Sequence, residues 1–278
     1  MAKQKIAIPA LKELKEQGKK LRMVTAYDYP TGILVDKTDI EMILVGDSLG
    51  MVVLGYDGTV PVTMEEMIHH TKAVVRGAKN TLIVGDLPFG SYNISPEDGV
   101  RNATRMMKEG GADCVKLEGG LAVTDTVRAI VRGGVPVMAH IGLTPQTASA
   151  LGGFKVQGKD AAAAERMIQE AVELEAAGAF AIVLEAIPAQ LAEIITKKLT
   201  IPTIGIGAGV NCDGQVLVTH DMVGLFDRFV PKFVKQYANI SKDIVDAFNA
   251  YAEEVATGKF PGPEHSFTMK EEVLKRLY

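Results

Sequence analysis

Two aspartates end two closely similar apolar runs, Met42-Ile43-Leu44-Val45-Gly46-Asp47-Ser48 and Leu82-Ile83-Val84-Gly85-Asp86-Leu87-Pro88. A short aliphatic run without polar alternation predicts a strand buried on both faces. An ionised carboxylate is costly in such a core unless it is paired or holds a metal. Each Asp therefore belongs at the carboxyl end of its strand, where a site could be. Consecutive strands of a parallel sheet are usually neighbours, which would set Asp47 and Asp86 side by side. Like charges that close cannot both ionise cheaply. A hard divalent cation removes the conflict, and Mg²⁺ characteristically takes one or two carboxylates together with substrate oxygens and waters. Taken singly, each Asp reads better as a cap on the following helix. As a pair in equivalent positions, they read better as a metal site.

Further polar residues stand at the ends of other apolar runs: Ser48, Lys116 and Glu118, His140 and Glu185. Lys116 and Glu118 are two positions apart and so share one side of their strand. Each has a bland alternative. Lys116 and Glu118 could form a buried structural ion pair, His140 could be a satisfied core histidine, Glu185 could cap a helix opened by Pro188, and Ser48 could bond a turn amide. Together they suit chemistry beside a carbonyl. Mg²⁺ chelated by a 2-oxo acid is a Lewis acid that stabilises an enolate, a carboxylate near the substrate could take the α-proton, and Lys116 or His140 could neutralise the developing charge. Residue types and spacing thus reach Mg²⁺-dependent enolate chemistry on a small oxo acid and leave the electrophile open. His69-His70 falls within a predicted surface helix and reads as solvated. Gly205-Ile206-Gly207-Ala208-Gly209 reads as a phosphate-cradling turn or a close backbone approach to substrate.

The elements that must position these residues alternate along the chain. Strands are predicted over 22–27, the Asp47 run, the Asp86 run, 113–118, 136–140, 180–185, 202–207 and 215–218. A leading helix covers 8–17, and Asp28-Tyr29-Pro30 opens another. Residues 50–62, with Gly50, Gly55, Gly58 and Pro61, read as a loop or small hairpin. Thr63 and Glu66 fit a capping box, and Val62 and Met67 a hydrophobic staple. Ser95-Pro96 starts a helix running to about 109, helices follow from Gly119-Gly120 through 132 and from Asp160 to Gly178, and a last helical region covers 241–257 before a tail with one more short helix. Eight strands alternating with helices imply a (β/α)₈ TIM barrel, which typically needs about 250 residues. An open doubly wound sheet is the alternative, but Thr25-Ala26-Tyr27-Asp28 is not the Gly-rich turn such a fold needs after its first strand. Composition does not break along the chain, so residues 1–278 are assigned to a single barrel domain with a short N-terminal helix and a C-terminal helical tail.

Composition narrows the function classes. An apolar share of 47% with 23% charged residues describes an ordinary soluble globule. A net charge of −4, with no basic stripe interleaved with aromatics, argues against a nucleic-acid partner. Met1-Ala2-Lys3-Gln4-Lys5 lacks an apolar signal core, and no run is long enough to span a membrane. Cys114 and Cys212 have no metal-type spacing, and a reduced cytoplasmic setting is the default expectation.

Several stretches, in order, resemble the signatures of the ketopantoate hydroxymethyltransferase family: Val24-Thr25-Ala26-Tyr27-Asp28, Val45-Gly46-Asp47-Ser48-Leu49-Gly50, Gly85-Asp86-Leu87-Pro88-Phe89-Gly90-Ser91-Tyr92, Val115-Lys116-Leu117-Glu118-Gly119-Gly120, His140-Ile141-Gly142-Leu143-Thr144-Pro145-Gln146 and Gly205-Ile206-Gly207-Ala208-Gly209. The resemblance runs from about residue 5 to the Glu264-His265-Ser266-Phe267 tail. It implies a barrel of the phosphoenolpyruvate/pyruvate type. It also implies transfer of a one-carbon unit from the co-substrate 5,10-methylenetetrahydrofolate to 3-methyl-2-oxobutanoate, yielding 2-dehydropantoate for pantothenate and coenzyme A synthesis. Carried over residue by residue, it implies that Asp47 and Asp86 bind Mg²⁺ with Glu118 as an outer partner of the metal. Asp47, Ser48, Asp86, Lys116 and His140 would meet the substrate, and Glu185 would be the general base. Small-molecule substrates and a homo-oligomer, often a decamer, complete the expectation. A related carbon–carbon lyase or phosphonomutase would share the metal and the enolate but not the folate. The lyases in question carry a reactive cysteine in a Lys-Cys-Gly loop, a context that neither Cys114 nor Cys212 has. A non-catalytic barrel should have lost some of these site residues, and all are present.

Overall fold

The computed structural model describes residues 4–278; of the opening stretch, Met1, Ala2 and Lys3 lie outside it. The strands are β1 (Leu21–Thr25), β2 (Met42–Val45), β3 (Leu82–Asp86), β4 (Cys114–Glu118), β5 (Val137–Gly142), β6 (Ala181–Glu185), β7 (Thr203–Ile206) and β8 (Gly214–Leu217). Each pairs in parallel with its sequence neighbour, and β8 returns to β1, closing an eight-stranded barrel. The helices are α1 (Ile8–Glu16), α2 (Tyr29–Asp36), α3 (Leu49–Val52), α4 (Met64–Gly77), α5 (Pro96–Arg105), α6 (Thr124–Arg132), α7 (Ala161–Ala176), α8 (Ala189–Lys198), α9 (Thr219–Met222), α10 (Ile240–Ala256) and α11 (Glu271–Leu274). Among the described residues no helix is long and apolar enough to cross a membrane.

The period-two rule sorts each strand into two cores. Leu21, Met23, Met42, Leu44, Leu82, Val84, Cys114, Met138, Ala181, Val183, Ile204 and Val216 fill the barrel, and Leu11 of α1 packs with them at the amino-terminal end. The alternate residues, such as Ile43, Val45, Ile83, Val115, Leu117 and Ile182, face outward onto the helices. This sorting decides where the polar residues go. Asp86 follows Leu82 and Val84, Lys116 and Glu118 follow Cys114, His140 follows Met138, and Glu185 follows Ala181 and Val183. All five continue the inward-facing rows at the strands' carboxyl ends.

The helix starts obey local chemistry. Thr63 accepts from the Glu66 amide and the Glu66 side chain reaches back to the Thr63 amide, completing the capping box on α4. Asp28, Ser95 and Asp160 each accept from a backbone amide in the first turn of α2, α5 and α7. Three segments depart from expectation. The 50–62 stretch is not a hairpin: its start is the helical turn α3, in which Leu49 and Gly50 are buried. The helix from Ser95 ends in a π-helical turn, Met106–Gly110, before Gly111 reverses the chain in the left-handed region. Strand β5 continues past His140 to Gly142, where φ is +98° and an added Cβ would sit 2.2 Å from the Glu185 carbonyl oxygen. Only glycine permits that approach of β5 to β6.

Candidate active site

Register turns the inward rows into one polar layer. Asp86 lies opposite Lys116, Glu118 opposite His140, and Gly142 opposite Glu185. Asp47 joins the layer from the turn after β2, where its amide donates to Asp86 Oδ2 at 3.1 Å. The two aspartates are thus brought together as expected, at 4% and 1% exposure.

Lys116 is the hub. Its Nζ lies 3.0 Å from Asp86 Oδ1, an ion pair whose angle falls outside that of a hydrogen bond, and 3.5 Å from Glu118 Oε1. It is also 3.3 Å from His140 Nδ1. The imidazole then spans two carboxylates, with Nδ1 at 3.3 Å from Glu118 and Nε2 at 3.3 Å from Glu185 Oε2. Glu185, the most open member, has a side chain 15% exposed. Ser48 stands at the start of α3 and shares a 2.8 Å hydrogen bond with the buried Tyr27 hydroxyl. The structure therefore gathers Asp47, Asp86, Lys116, Glu118, His140 and Glu185 at one end of the barrel, with Ser48 on the adjoining turn.

The electrostatics are lopsided. Burial, with the charges of Asp86 and Glu118, holds the Asp47 carboxyl well above the usual carboxylate range, against the pull of Lys116 and Gln146. Burial also raises Asp86, with Lys116 only partly offsetting it. Glu118 moves the other way: burial opposes ionisation, but Lys116, His140 and the Gln146 amide more than compensate. Burial likewise works against the Lys116 cation, and Asp86, Glu118 and Asp47 outweigh it, so the amine is held charged. For His140, burial and Lys116 oppose the charge, yet Glu118 and Glu185 push its pKa up to about 9. The two carboxylates thus favour the charged ring, and the Lys116 amine beside Nδ1 favours the neutral one.

A cation site is consistent with this layer. Four carboxylates, Asp47, Asp86, Glu118 and Glu185, gather round Lys116 and His140, and burial makes two of them, Asp47 and Asp86, resist ionisation. A hard divalent ion, which oxygen donors suit, would supply positive charge where these two carboxylates need it. Asp47 and Asp86 are the residues that would hold it. Glu118 has its oxygens turned to Lys116, His140 and the Gln146 amide. Among the described residues no three His, Cys, Asp or Glu side chains converge as a ligand set. Substrate oxygens and water would therefore complete the coordination.

Other residues depart from expectation. His70 is not simply solvated: its Nδ1 sits 2.6 Å from the Tyr27 carbonyl oxygen, bracing the segment that carries the Ser48 partner. The Gly205–Gly209 turn is approached closely by protein, since a Cβ on Gly207 would meet the Phe233 ring at 2.8 Å and one on Gly209 would meet Ala189 at 2.5 Å. Gln146 and Tyr92 carry no role in the sequence reading, yet both are buried in the layer. Gln146 Nε2 donates to Asp47 Oδ2 at 2.9 Å, and the Tyr92 hydroxyl donates to Gln146 Oε1 at 2.6 Å. Neither lies on a strand, so no periodicity marks them.

Comparison with known proteins agrees with this geometry. A family model described as ketopantoate hydroxymethyltransferase matches residues 5–263. The 3-methyl-2-oxobutanoate hydroxymethyltransferase of Heliobacterium modesticaldum is 65% identical over 278 residues, the whole of both chains. That of Moorella thermoacetica is 62% identical over 263 residues, 95% of this chain and 98% of the relative. Among solved structures, 2,3-dimethylmalate lyase, a PEP mutase/isocitrate lyase superfamily member, superposes with a TM-score of 0.58 at 14% identity, covering 97% of this chain and 93% of its own. That likeness establishes the barrel type alone. Because the family match spans the barrel from end to end and the relatives share most of their residues with it, this chain belongs to the ketopantoate hydroxymethyltransferase family.

Proposed function

We propose that this chain transfers a hydroxymethyl group from 5,10-methylenetetrahydrofolate to 3-methyl-2-oxobutanoate, giving 2-dehydropantoate for pantothenate synthesis. Family membership carries the reading, and the charged layer supplies groups suited to it. Bond changes balance with one water: the α-carbon loses a proton and gains the one-carbon unit, water supplies the hydroxyl, and tetrahydrofolate departs. Asp47 and Asp86 would hold Mg²⁺, which when bound would supply a Lewis acid for the keto oxygen. Lys116 offers positive charge, and His140 an N–H, to the oxo acid's oxygens. Glu185, at the open edge of the layer, takes the α-proton. Ser48, fixed by Tyr27, offers a hydroxyl beside Asp47.

The lyase reading has less support. Cys114 is fully buried inside the barrel and Cys212 is buried near Gly205, and burial raises both thiols, Cys114 well above its usual range. Buried, protonated thiols are poor nucleophiles. Two free cysteines also suit a reduced, cytoplasmic setting.

The deciding experiment is α-proton exchange of 3-methyl-2-oxobutanoate in deuterated water, with and without Mg²⁺ and without folate. Metal-dependent exchange, followed by 2-dehydropantoate on adding methylenetetrahydrofolate, is the expected outcome. Exchange that ignores the metal, or no product with the folate, would sink the assignment.

We read residues 1–278 as one barrel domain that works as a homo-oligomer, a decamer in the family's pattern. The support lies in α10, none of whose residues is buried. Its Val245, Phe248 and Val255 are 54%, 68% and 47% exposed and share one helical face. An apolar stripe of this kind marks an interaction surface. Phe248→Asp is expected to shift the protein to smaller species in sedimentation velocity; an unchanged distribution would remove α10 from the interface.

A further inference from the structure

Gln146 lies in the 3-10 turn Pro145–Thr147 that follows β5 and is 3% exposed. All its hydrogen-bonding groups except the backbone carbonyl turn toward the site. Nε2 donates to Asp47 Oδ2 at 2.9 Å and to the Leu87 carbonyl at 3.0 Å. Oε1 accepts from the Tyr92 hydroxyl at 2.6 Å, and the backbone amide donates to Glu118 Oε2 at 3.1 Å. An amide is asymmetric. Two acceptors on its nitrogen side, Asp47 Oδ2 and the Leu87 carbonyl, favour one orientation, and on its oxygen side stands the Tyr92 hydroxyl, whose one hydrogen is also within reach of the Glu118 carbonyl at 3.0 Å. Tyr92 is itself fixed, 1% exposed on the loop after β3, where its hydroxyl oxygen accepts from the Glu118 amide at 3.2 Å.

Asp47 needs such a hold. It sits beyond the last residue of β2, where the barrel's ladder no longer fixes it. The site's ammonium is engaged elsewhere, since Lys116 pairs with Asp86 and Glu118. We propose that Tyr92 and Gln146 form a positioning clamp that fixes the Asp47 carboxylate for a divalent cation and ties it to Glu118. The clamp rests on the reading of Asp47 as a cation ligand. Hydrogen-bond partners of metal-binding carboxylates orient the ligand, and losing one typically costs about 10–100-fold in metal affinity.

The test is direct titration of the full-length protein with Mn²⁺, a hard ion that suits oxygen sites, followed by electron paramagnetic resonance without substrates. Wild type, Asp47→Ala, Gln146→Leu and Tyr92→Phe are compared, with near-ultraviolet circular dichroism to certify the fold. Wild type binds and Asp47→Ala does not. Gln146→Leu loses about 10–100-fold in affinity, and Tyr92→Phe, which keeps the amide but frees it to turn, loses less. A role confined to packing would lower the melting temperature and leave the Mn²⁺ affinity of the folded protein unchanged. Folded Gln146→Leu with wild-type affinity overturns the clamp, and if that variant does not fold, Tyr92→Phe with wild-type affinity overturns it instead. A wild-type protein that binds no Mn²⁺ removes the cation reading, and the clamp with it, an outcome visible before any Gln146 or Tyr92 variant is compared.

Discussion

Glu185→Gln is expected to slow α-proton exchange of 3-methyl-2-oxobutanoate by about 10²–10⁴-fold, the usual contribution of a positioned general base, while the oxo acid still binds. The side chain continues the inward row of β6 and, at 15% exposure, is the carboxylate of the layer most open to a substrate. Asp86 is committed to Lys116, and Glu118 to Lys116 and His140. Glu185 touches His140 Nε2 at 3.3 Å but off the hydrogen-bond axis, so its oxygens are not saturated by that contact. Glutamine keeps the size and can still accept a hydrogen bond, yet it cannot take a proton. His140 is the rival base, and its state speaks against it. Burial and Lys116 disfavour the cation, but Glu118 and Glu185 push its pKa up to about 9, which makes the ring less available as a proton acceptor than the open Glu185 carboxylate. Exchange is read by loss of the α-proton signal, and binding by isothermal titration. Exchange at the wild-type rate in Glu185→Gln would remove Glu185 as the base and return the role to another group.

Much of this site is legible in the chain because the barrel imposes a period. Once Met42 and Leu44 face inward and Ile43 and Val45 outward, the same count sends Asp86, Lys116, Glu118, His140 and Glu185 into one layer without reference to any tertiary contact. The spacing of Lys116 and Glu118 reads correctly for that reason. Asp47 is harder, since it lies past the strand, and its place beside Asp86 follows from neighbouring strands rather than from parity. Residues on turns escape the count entirely. Gln146 and Tyr92 come from different loops and meet only because β3, β4 and β5 are adjacent. The same limit hides His70, whose partner is a backbone carbonyl on the segment after β1. It also hides Phe233, a distant residue that fills the Gly207 turn. Glycine spacing reports that a backbone is approached closely and is silent on what approaches it.

The second large effect falls on stability. Lys116→Met is expected to destabilise the metal-free protein by about 3–5 kcal/mol at pH 8, the range for removing one partner of a buried ion pair. Methionine roughly fills the volume of the lysine stem, so the loss is one of charge rather than of packing. Asp47, Asp86 and Glu118 would remain buried at 4%, 1% and 4% exposure with His140 alone left to offset their charge. Burial already raises the Asp47 and Asp86 carboxyls, and Lys116 is among the groups that restrain both. Without it they rise further. A carboxyl whose folded-state pKa is raised costs its full amount above that pKa, and the cost shrinks steadily as pH falls from the folded pKa towards the unfolded one. The deficit relative to wild type should therefore shrink between pH 8 and pH 5. Mg²⁺ should also restore part of it, because a ligand that binds only the folded state stabilises by about 2.7 kcal/mol at a hundred times its dissociation constant. Urea unfolding at the two pH values, with and without Mg²⁺ and at one protein concentration, measures all three effects. A loss under about 1 kcal/mol at pH 8, in the range of an exposed pair, would show that Lys116 does not neutralise this layer. A full loss that neither acid nor Mg²⁺ relieves would assign it to packing instead.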